Sequence, residues 1–191
     1  MPDPVLQPTP AIQAWTPIAV AGLAIDVRDD LTIAGIAPFR GKAQAVADAL
    51  AARYGLALPA ACRRISGDDI TLQWSGPDQW IAIAGRGAAR DLEVELKPLL
   101  AGLAAVVDHS DARVVVVVSG KHARSVLAKG LPIDLHERAF RVGDVAITHA
   151  NHIGVTITQA GHEPAYEIML YRSYADSFAG WLLHASKEFT G

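Results

Sequence analysis

A chain of 191 residues, 51% hydrophobic and 19% charged, is long enough for one domain or for two half-domains sharing a core, and too apolar for disorder. A formal net charge of −3, with Lys and Arg scattered along the chain, supplies no basic field for a phosphate backbone and argues against a nucleic-acid partner. The single cysteine, Cys62, excludes an internal disulfide and a Cys-rich zinc or iron–sulfur site. With no signal-peptide pattern and no apolar run near the ~18 residues of a membrane span, the expected place is a reducing cytoplasm. The apolar surplus also points to surface that something besides the chain's own core covers.

Residues 1–20 carry Pro2, Pro4, Pro8, Pro10 and Pro17, which remove backbone donors and disfavour helix and central strand. They read as an arm outside the core. Its Val5, Leu6, Ile12 and Trp15 dock singly on the domain or on a partner, or the arm is disordered in isolation. The remaining 21–191 form the folded part, as two half-domains of about 21–104 and 105–191. Alternating apolar positions over 23–36, broken near Asp29-Asp30, predict strands. Ala43, Val46, Ala47, Leu50, Ala51 and Tyr54 make one helical stripe closed by Gly55.

Residues 70–74 and 80–83 predict a hairpin about Ser75-Gly76-Pro77-Asp78, and leucines over 88–103 predict a helix that Pro98 kinks or stops. Strands follow at 105–107 and 114–118. The unbroken valines of the second suit a central strand buried on both faces. Ser119 is placed to cap a helix bearing Ala123, Val126 and Leu127, which ends at Lys129 and Gly130 with the lysine near the negative end of the helix dipole. Strands at 145–148, 153–159 and 166–170 precede Ser173-x-x-Asp176, a capping-box pattern opening a last helix striped by Tyr174, Phe178, Leu182, Ala185 and Phe189. The fold class is α+β: two pseudo-repeated β-α-β-β-α halves, with mixed or antiparallel sheets and helices on one face.

No chemistry-bearing constellation commits to a reaction. Gly120-Lys121 lacks the preceding glycine of a phosphate loop and has His122 at the hydroxyl position. His149-x-x-His152 spans two strands and a turn, which aims the rings apart, and His109 and His136 stand singly. Ser110 beside His109 faces the other side of a strand. Cys62 next to Arg63-Arg64 is a lone thiol, and the pairs Asp29-Asp30 and Asp68-Asp69 sit in turns. No catalytic, cofactor-binding or metal-ligating residue is assigned. The aromatics Trp74, Trp80, Tyr166, Tyr171 and Trp181 read as core or, alternatively, as a ligand-pocket lining.

Three stretches together carry a family resemblance. They are Val106-Val107-Asp108-His109-Ser110-Asp111-Ala112-Arg113 running on to Leu127-Ala128-Lys129-Gly130-Leu131-Pro132-Ile133-Asp134-Leu135-His136 and Phe140; Trp74-Ser75-Gly76-Pro77-Asp78-Gln79-Trp80; and Tyr171-Arg172-Ser173-Tyr174-Ala175-Asp176-Ser177-Phe178 with Trp181-Leu182. Over roughly residues 40–190 the chain resembles the gamma subunit of heterotetrameric sarcosine oxidase. The resemblance implies a fold like the folate-binding domain of glycine-cleavage aminomethyltransferases, in a complex with alpha, beta and delta subunits. It also implies that the cofactors, FAD, FMN, NAD, zinc and tetrahydrofolate, belong to those partner subunits and none to this chain. That complex demethylates sarcosine oxidatively to glycine, giving hydrogen peroxide and formaldehyde or methylenetetrahydrofolate.

Trp15, Trp74, Gly76, Pro77, Trp80, Arg113, Lys129, Asp134, His136 and Phe140 are the structural or interface candidates. Two readings stay alongside. One is a stand-alone folate-dependent aminomethyltransferase-like protein, for which Asp134 sits near a catalytic aspartate but follows Ile133 where that family has asparagine. The other is a gamma-like subunit of an N-methylglutamate-type dehydrogenase.

Overall fold

A computed structural model describes residues 9–87 and 90–190. In chain order its elements are β1 (Ile18–Val20), β2 (Leu23–Arg28), β3 (Leu31–Pro38), α1 (Ala43–Tyr54), β4 (Arg64–Ser66), β5 (Thr71–Gly76), β6 (Gln79–Gly85), α2 (Leu92–Leu99), β7 (Ala104–Asp108), β8 (Arg113–Ser119), α3 (Ala123–Leu127), β9 (Val145–Ala150), β10 (Ile153–Gly161), β11 (Ala165–Tyr171), a single 3-10 turn (Arg172–Tyr174) and α4 (Ala175–Thr190). They build an antiparallel six-stranded sheet in the order β1-β2-β8-β11-β10-β9 and an antiparallel five-stranded sheet in the order β4-β5-β6-β3-β7.

The two-residue side-chain period of the strands sorts the core into three layers. Val114, Val116 and Val118 of β8 join Ile168 and Leu170 of β11 in one cluster with Val126 and Leu127 of α3 and Phe178 and Leu182 of α4. Val115 and Met169, one residue out of phase, meet Leu31, Ile33, Ile81 and Ile83 of the other sheet. Ala34, Ile36, Ala82 and Ala84 then turn to α1 and α2, where Val46, Leu50, Leu92 and Leu96 complete the third cluster. The sheets thus stack face to face with a helix pair outside each, an α+β arrangement with helices on one face of each sheet.

The chain is an internal repeat with an exchange of strands. From β3 it runs strand, α1, three strands, α2; from β8 it runs strand, α3, three strands, α4. Each half therefore has three strands between its helices, not the two of a β-α-β-β-α repeat; the three of the second half match the strands expected at 145–148, 153–159 and 166–170, whereas β4 of the first half was not expected. The strand preceding each repeat crosses over: β2 pairs with β8, and β7 pairs with β3. Two crossings, β2 to β3 and β7 to β8, therefore link the sheets.

Away from these crossings polar contacts clamp the sheets. Thr158 Oγ1 donates to Gln73 Oε1 at 3.0 Å with both residues buried, Arg64 pairs with Glu167, and Arg63 pairs with Asp144. Backbone bonds from Arg64 N to Gly143 O (2.8 Å) and Val145 N to Cys62 O (2.9 Å) extend the clamp.

Several local expectations need correction. Ser119 caps nothing, because it ends β8 and is paired with both Ala24 and Ala165. The short helix begins four residues later at Ala123, after His122, without a side-chain cap. The helix expected over 88–103 is shorter, Leu92–Leu99. Asp91 Oδ1 caps its start by accepting from Glu93 N (2.8 Å) and Val94 N (3.2 Å), and Pro98 falls in its last turn. Residues 88 and 89 lie outside the described residues.

Ser173 makes no cap hydrogen bond either, since it lies within the 3-10 turn that precedes α4. Nor is the arm wholly outside the core: Ile12 is buried in the main cluster, Trp15 packs on it, and Ile18–Val20 form an edge strand. The arm's Val5 and Leu6 lie outside the described residues.

Candidate functional site

A cleft of about 830 Å³ lies beside the two inter-sheet crossings. Val27, Leu31, Ile33 and Val114 supply apolar lining; Arg28, Arg86, Arg113 and Arg172 supply cations against Asp29 and Asp111; Thr9, Pro10 and Ala11 of the arm close one side. The topology explains the convergence. Arg28 ends β2, Arg86 follows β6, Arg113 opens β8 and Arg172 follows β11, so antiparallel pairing brings four distant segments to one end of the sandwich.

The four arginines are not equivalent. Arg28 is held by Asp30 through two bonds, Nε to Oδ1 at 2.5 Å and Nη2 to Oδ2 at 2.9 Å. The hydrogen bond to the Asp30 carboxylate raises the pKa of Arg28 despite partial burial, and that of Asp30 is correspondingly lowered. Arg172 donates to the Thr9 and Pro10 carbonyls (2.6 and 3.0 Å), which ties the arm to the cleft. Arg86 stands 3.7 Å from Asp111, whose side chain is 88% exposed, a pair of little strength in water. Arg113 lies over the Tyr171 ring at 4.0 Å and donates Nη2 to its hydroxyl at 3.2 Å, while its Nε is buried without an acceptor among the described residues.

Ser110 Oγ lies 2.5 Å from Asp108 Oδ1 and accepts from Ile33 N at 3.0 Å, so its hydroxyl serves the crossing. His109 is half-buried, with its pKa lowered chiefly by burial and further by Arg113, against an opposing pull from Asp108. Among the described residues no three His, Cys, Asp or Glu side chains converge to hold a metal ion. His149 is exposed on β9, and Asn151 and His152 form the tight turn to β10 with φ of 46° and 73°.

The other sequence candidates fall in separate places. Trp74 and Trp80 are register partners in the β5–β6 hairpin and both are half-buried; Trp80 Nε1 donates to Pro59 O at 2.9 Å. Gly76, buried at φ 149°, and exposed Pro77 shape the hairpin end, where Gly76 pairs with Gln79. Lys129 does not serve its own helix. Its Nζ bonds Ala185 O (2.5 Å) and pairs with Glu188 (2.5 Å) on α4.

Asp134 Oδ1 accepts from His136 N at 2.8 Å, and His136 Nδ1 accepts from Arg138 N at 3.2 Å, a self-bonded turn on the surface. Buried Phe140 anchors that loop in the main core. Trp15 lies in a second groove with Ile12, Ala179 and Leu183, its Nε1 buried without an acceptor among the described residues. Of these candidates only Arg113 reaches the arginine cleft. Sequence reasoning missed Arg28 and Arg86, which carry no motif, whereas Arg172 stands within the family-like string that opens the last helix.

The motif glycines are explained by close approach. A Cβ on Gly120, whose φ is 99°, would stand 2.7 Å from the Gly22 carbonyl carbon. Gly120 therefore joins β8 to the turn before β2 and cradles no phosphate. A Cβ on Gly130 would meet the indole of Trp181, at 2.7 Å from Cε2 and 3.1 Å from Nε1. The Lys-Gly pair at 129–130 thus docks α3 on α4.

Comparison with known proteins agrees with this architecture. Residues 40–188 match the sarcosine oxidase gamma subunit family. The sarcosine oxidase gamma subunit of Arthrobacter sp is 35% identical over 144 residues, 74% of this chain and 70% of that one; the gamma subunit of Corynebacterium sp. (strain P-1) gives the same figures. A chain of the heterotetrameric sarcosine oxidase from Corynebacterium sp. U-96 superposes with a TM-score of 0.79 at 29% identity, covering 92% of this chain and 89% of that one. The aminomethyltransferase T of the glycine cleavage system from Bartonella henselae shares the fold at 18% identity and TM-score 0.64, over 85% of this chain and 46% of that one. The chain belongs to the sarcosine oxidase gamma subunit family.

Proposed function

We propose that this protein is an accessory subunit of a heterotetrameric sarcosine oxidase, docking on its alpha, beta and delta subunits and contributing contacts instead of reacting groups. The observation that carries the reading is the near end-to-end superposition on a chain of such a heterotetramer, together with the family match. In this reading FAD, FMN, NAD, zinc and the folate site reside in the partner subunits. The assembly converts sarcosine to glycine with hydrogen peroxide and formaldehyde or methylenetetrahydrofolate, and it works in the cytoplasm. No helix among the described residues is long and apolar enough to cross a membrane.

Two observations support the accessory role. The Ser110 hydroxyl bonds Asp108 and accepts from the Ile33 amide, which ties the β7–β8 crossing to β3, and Asp134 bonds its own turn, so both have a structural task. Exposed apolar side chains, Phe39, Val94, Val107, Ile147 and Leu183 among them, offer surface that a partner would bury. The test is affinity capture of the chain from its own host, with mass spectrometry and a visible absorbance spectrum of the eluate. Recovery of larger flavin-bearing chains with sarcosine-dependent peroxide release is expected; a lone colourless chain that binds tetrahydrofolate would replace this reading with a folate enzyme.

A further inference from the structure

We propose that the arginine-lined cleft receives an acidic segment of a partner polypeptide, whose carboxylates pair with Arg113 and Arg86 while its apolar side chains rest on Val27, Leu31, Ile33 and Val114. The inference rests on the reading of the chain as a subunit and names the chemistry of one docking point. Its first support is charge. The chain as a whole carries a net −3, yet four arginines gather here against Asp29, Asp111 and the Asp30 that pairs with Arg28. Such a local reversal attracts carboxylates and sets their register more than it sets overall affinity.

The second support is the state of each cation. Arg28 is paired with Asp30 through two bonds, and Arg172 is engaged with the arm carbonyls. Arg86 is only loosely matched by exposed Asp111, and Arg113 retains a buried Nε with no acceptor among the described residues. The Arg113 guanidinium is already pinned on the Tyr171 ring, so it loses little freedom when a carboxylate arrives, and its planar fork suits two parallel bonds. Its ring partner Tyr171 is half exposed. A tyrosine and arginines over an apolar floor make the composition of a protein interface centre.

The third support is the balance of the lining. Small-molecule sites are mostly apolar with a few convergent polar groups. Here eight charged or hydroxylated residues from separate segments alternate with six apolar ones around about 830 Å³, more room than one small anion fills.

The test uses the full chain co-expressed with the assembly it belongs to, immobilised through a large subunit and washed with rising NaCl. Arg113→Gln and Arg86→Gln are each expected to weaken retention by about tenfold or more and to flatten its salt dependence. Arg113→Lys should recover part of the loss. Thermal unfolding of the isolated Arg86→Gln chain should match the unsubstituted chain, because that side chain is surface-held.

Wild-type assembly with retention and salt dependence unchanged in the Arg86→Gln/Arg113→Gln double variant would overturn the inference and leave the accessory reading standing. If the unsubstituted chain itself brings down no larger subunit, the accessory reading fails and takes the inference with it. Saturable micromolar binding of succinate to the isolated chain, measured by calorimetry, would mark a small-dianion site and overturn the partner assignment.

Discussion

Replacing Gly130 by alanine isolates one steric contact between the two helices that cover the six-stranded sheet. Gly130 does not have a positive φ, so an alanine methyl meets no backbone penalty. On backbone grounds alone the change would stabilise the protein by about 0.4–1 kcal/mol, through a less flexible unfolded chain. The new Cβ, however, would sit 2.7 Å from Trp181 Cε2 and 3.1 Å from Nε1, on a rigid ring that itself packs 5.5 Å from the Phe178 ring. Overpacking of this kind costs about 1–3 kcal/mol, so the net loss is expected near 1–2 kcal/mol.

Urea unfolding followed by circular dichroism measures it, with an unchanged denaturant slope as the check on two-state behaviour. Trp181→Leu in the same chain removes the ring, and in the double variant the alanine should become neutral or stabilising. The reasoning fails if Gly130→Ala alone raises stability, or if the two changes are additive to within about 0.3 kcal/mol.

Three further outcomes follow from single contacts. Tyr54 donates to Glu95 Oε1 at 2.8 Å, and burial together with that carboxylate pushes its pKa up to about 12. The unfolded chain gives up this proton near 10, so stability should fall as pH rises from about 10 to 12, and Tyr54→Phe should abolish that part of the fall. Glu95 itself is held below the usual carboxylate range, first by its bond from Arg90; its contribution is present above the unfolded pKa and lost as pH drops through the folded one, so Glu95→Gln should flatten the acid limb of the stability curve. Thr158→Val strands the buried Gln73 Oε1 between the sheets and should cost about 1–3 kcal/mol by the same urea assay; a neutral result would show that water reaches the amide.

Local structure was legible where one residue pattern admitted one solution. Val114, Val115, Val116 and Val118 of β8 are buried, on both faces of the strand, with Val117 half-buried, and the strand pairs on both sides. The stripe from Ala43 ends as expected at Gly55, which takes φ 68°. The strand exchange was not legible, because β2 and β7 have ordinary alternation and nothing local says which sheet an edge will join. Ser119 was misread for a related reason: its hydroxyl suits a cap, but strand partners on both sides extend β8 through it.

The motif residues resolve into architecture. Lys129 and Gly130 seat one helix on another, and Asp134 closes its own turn. The cleft was out of reach of any pattern, since Arg28, Arg86, Arg113 and Arg172 meet only through long-range antiparallel pairing. Of these Arg113 alone was singled out from the sequence, on the family resemblance.

The most direct measurement is the native mass of the assembly recovered through a tag on this chain. A species holding this chain together with larger flavin-bearing chains, active on sarcosine, is the expected result. Recovery of the chain alone from a host that contains active sarcosine oxidase would contradict the account.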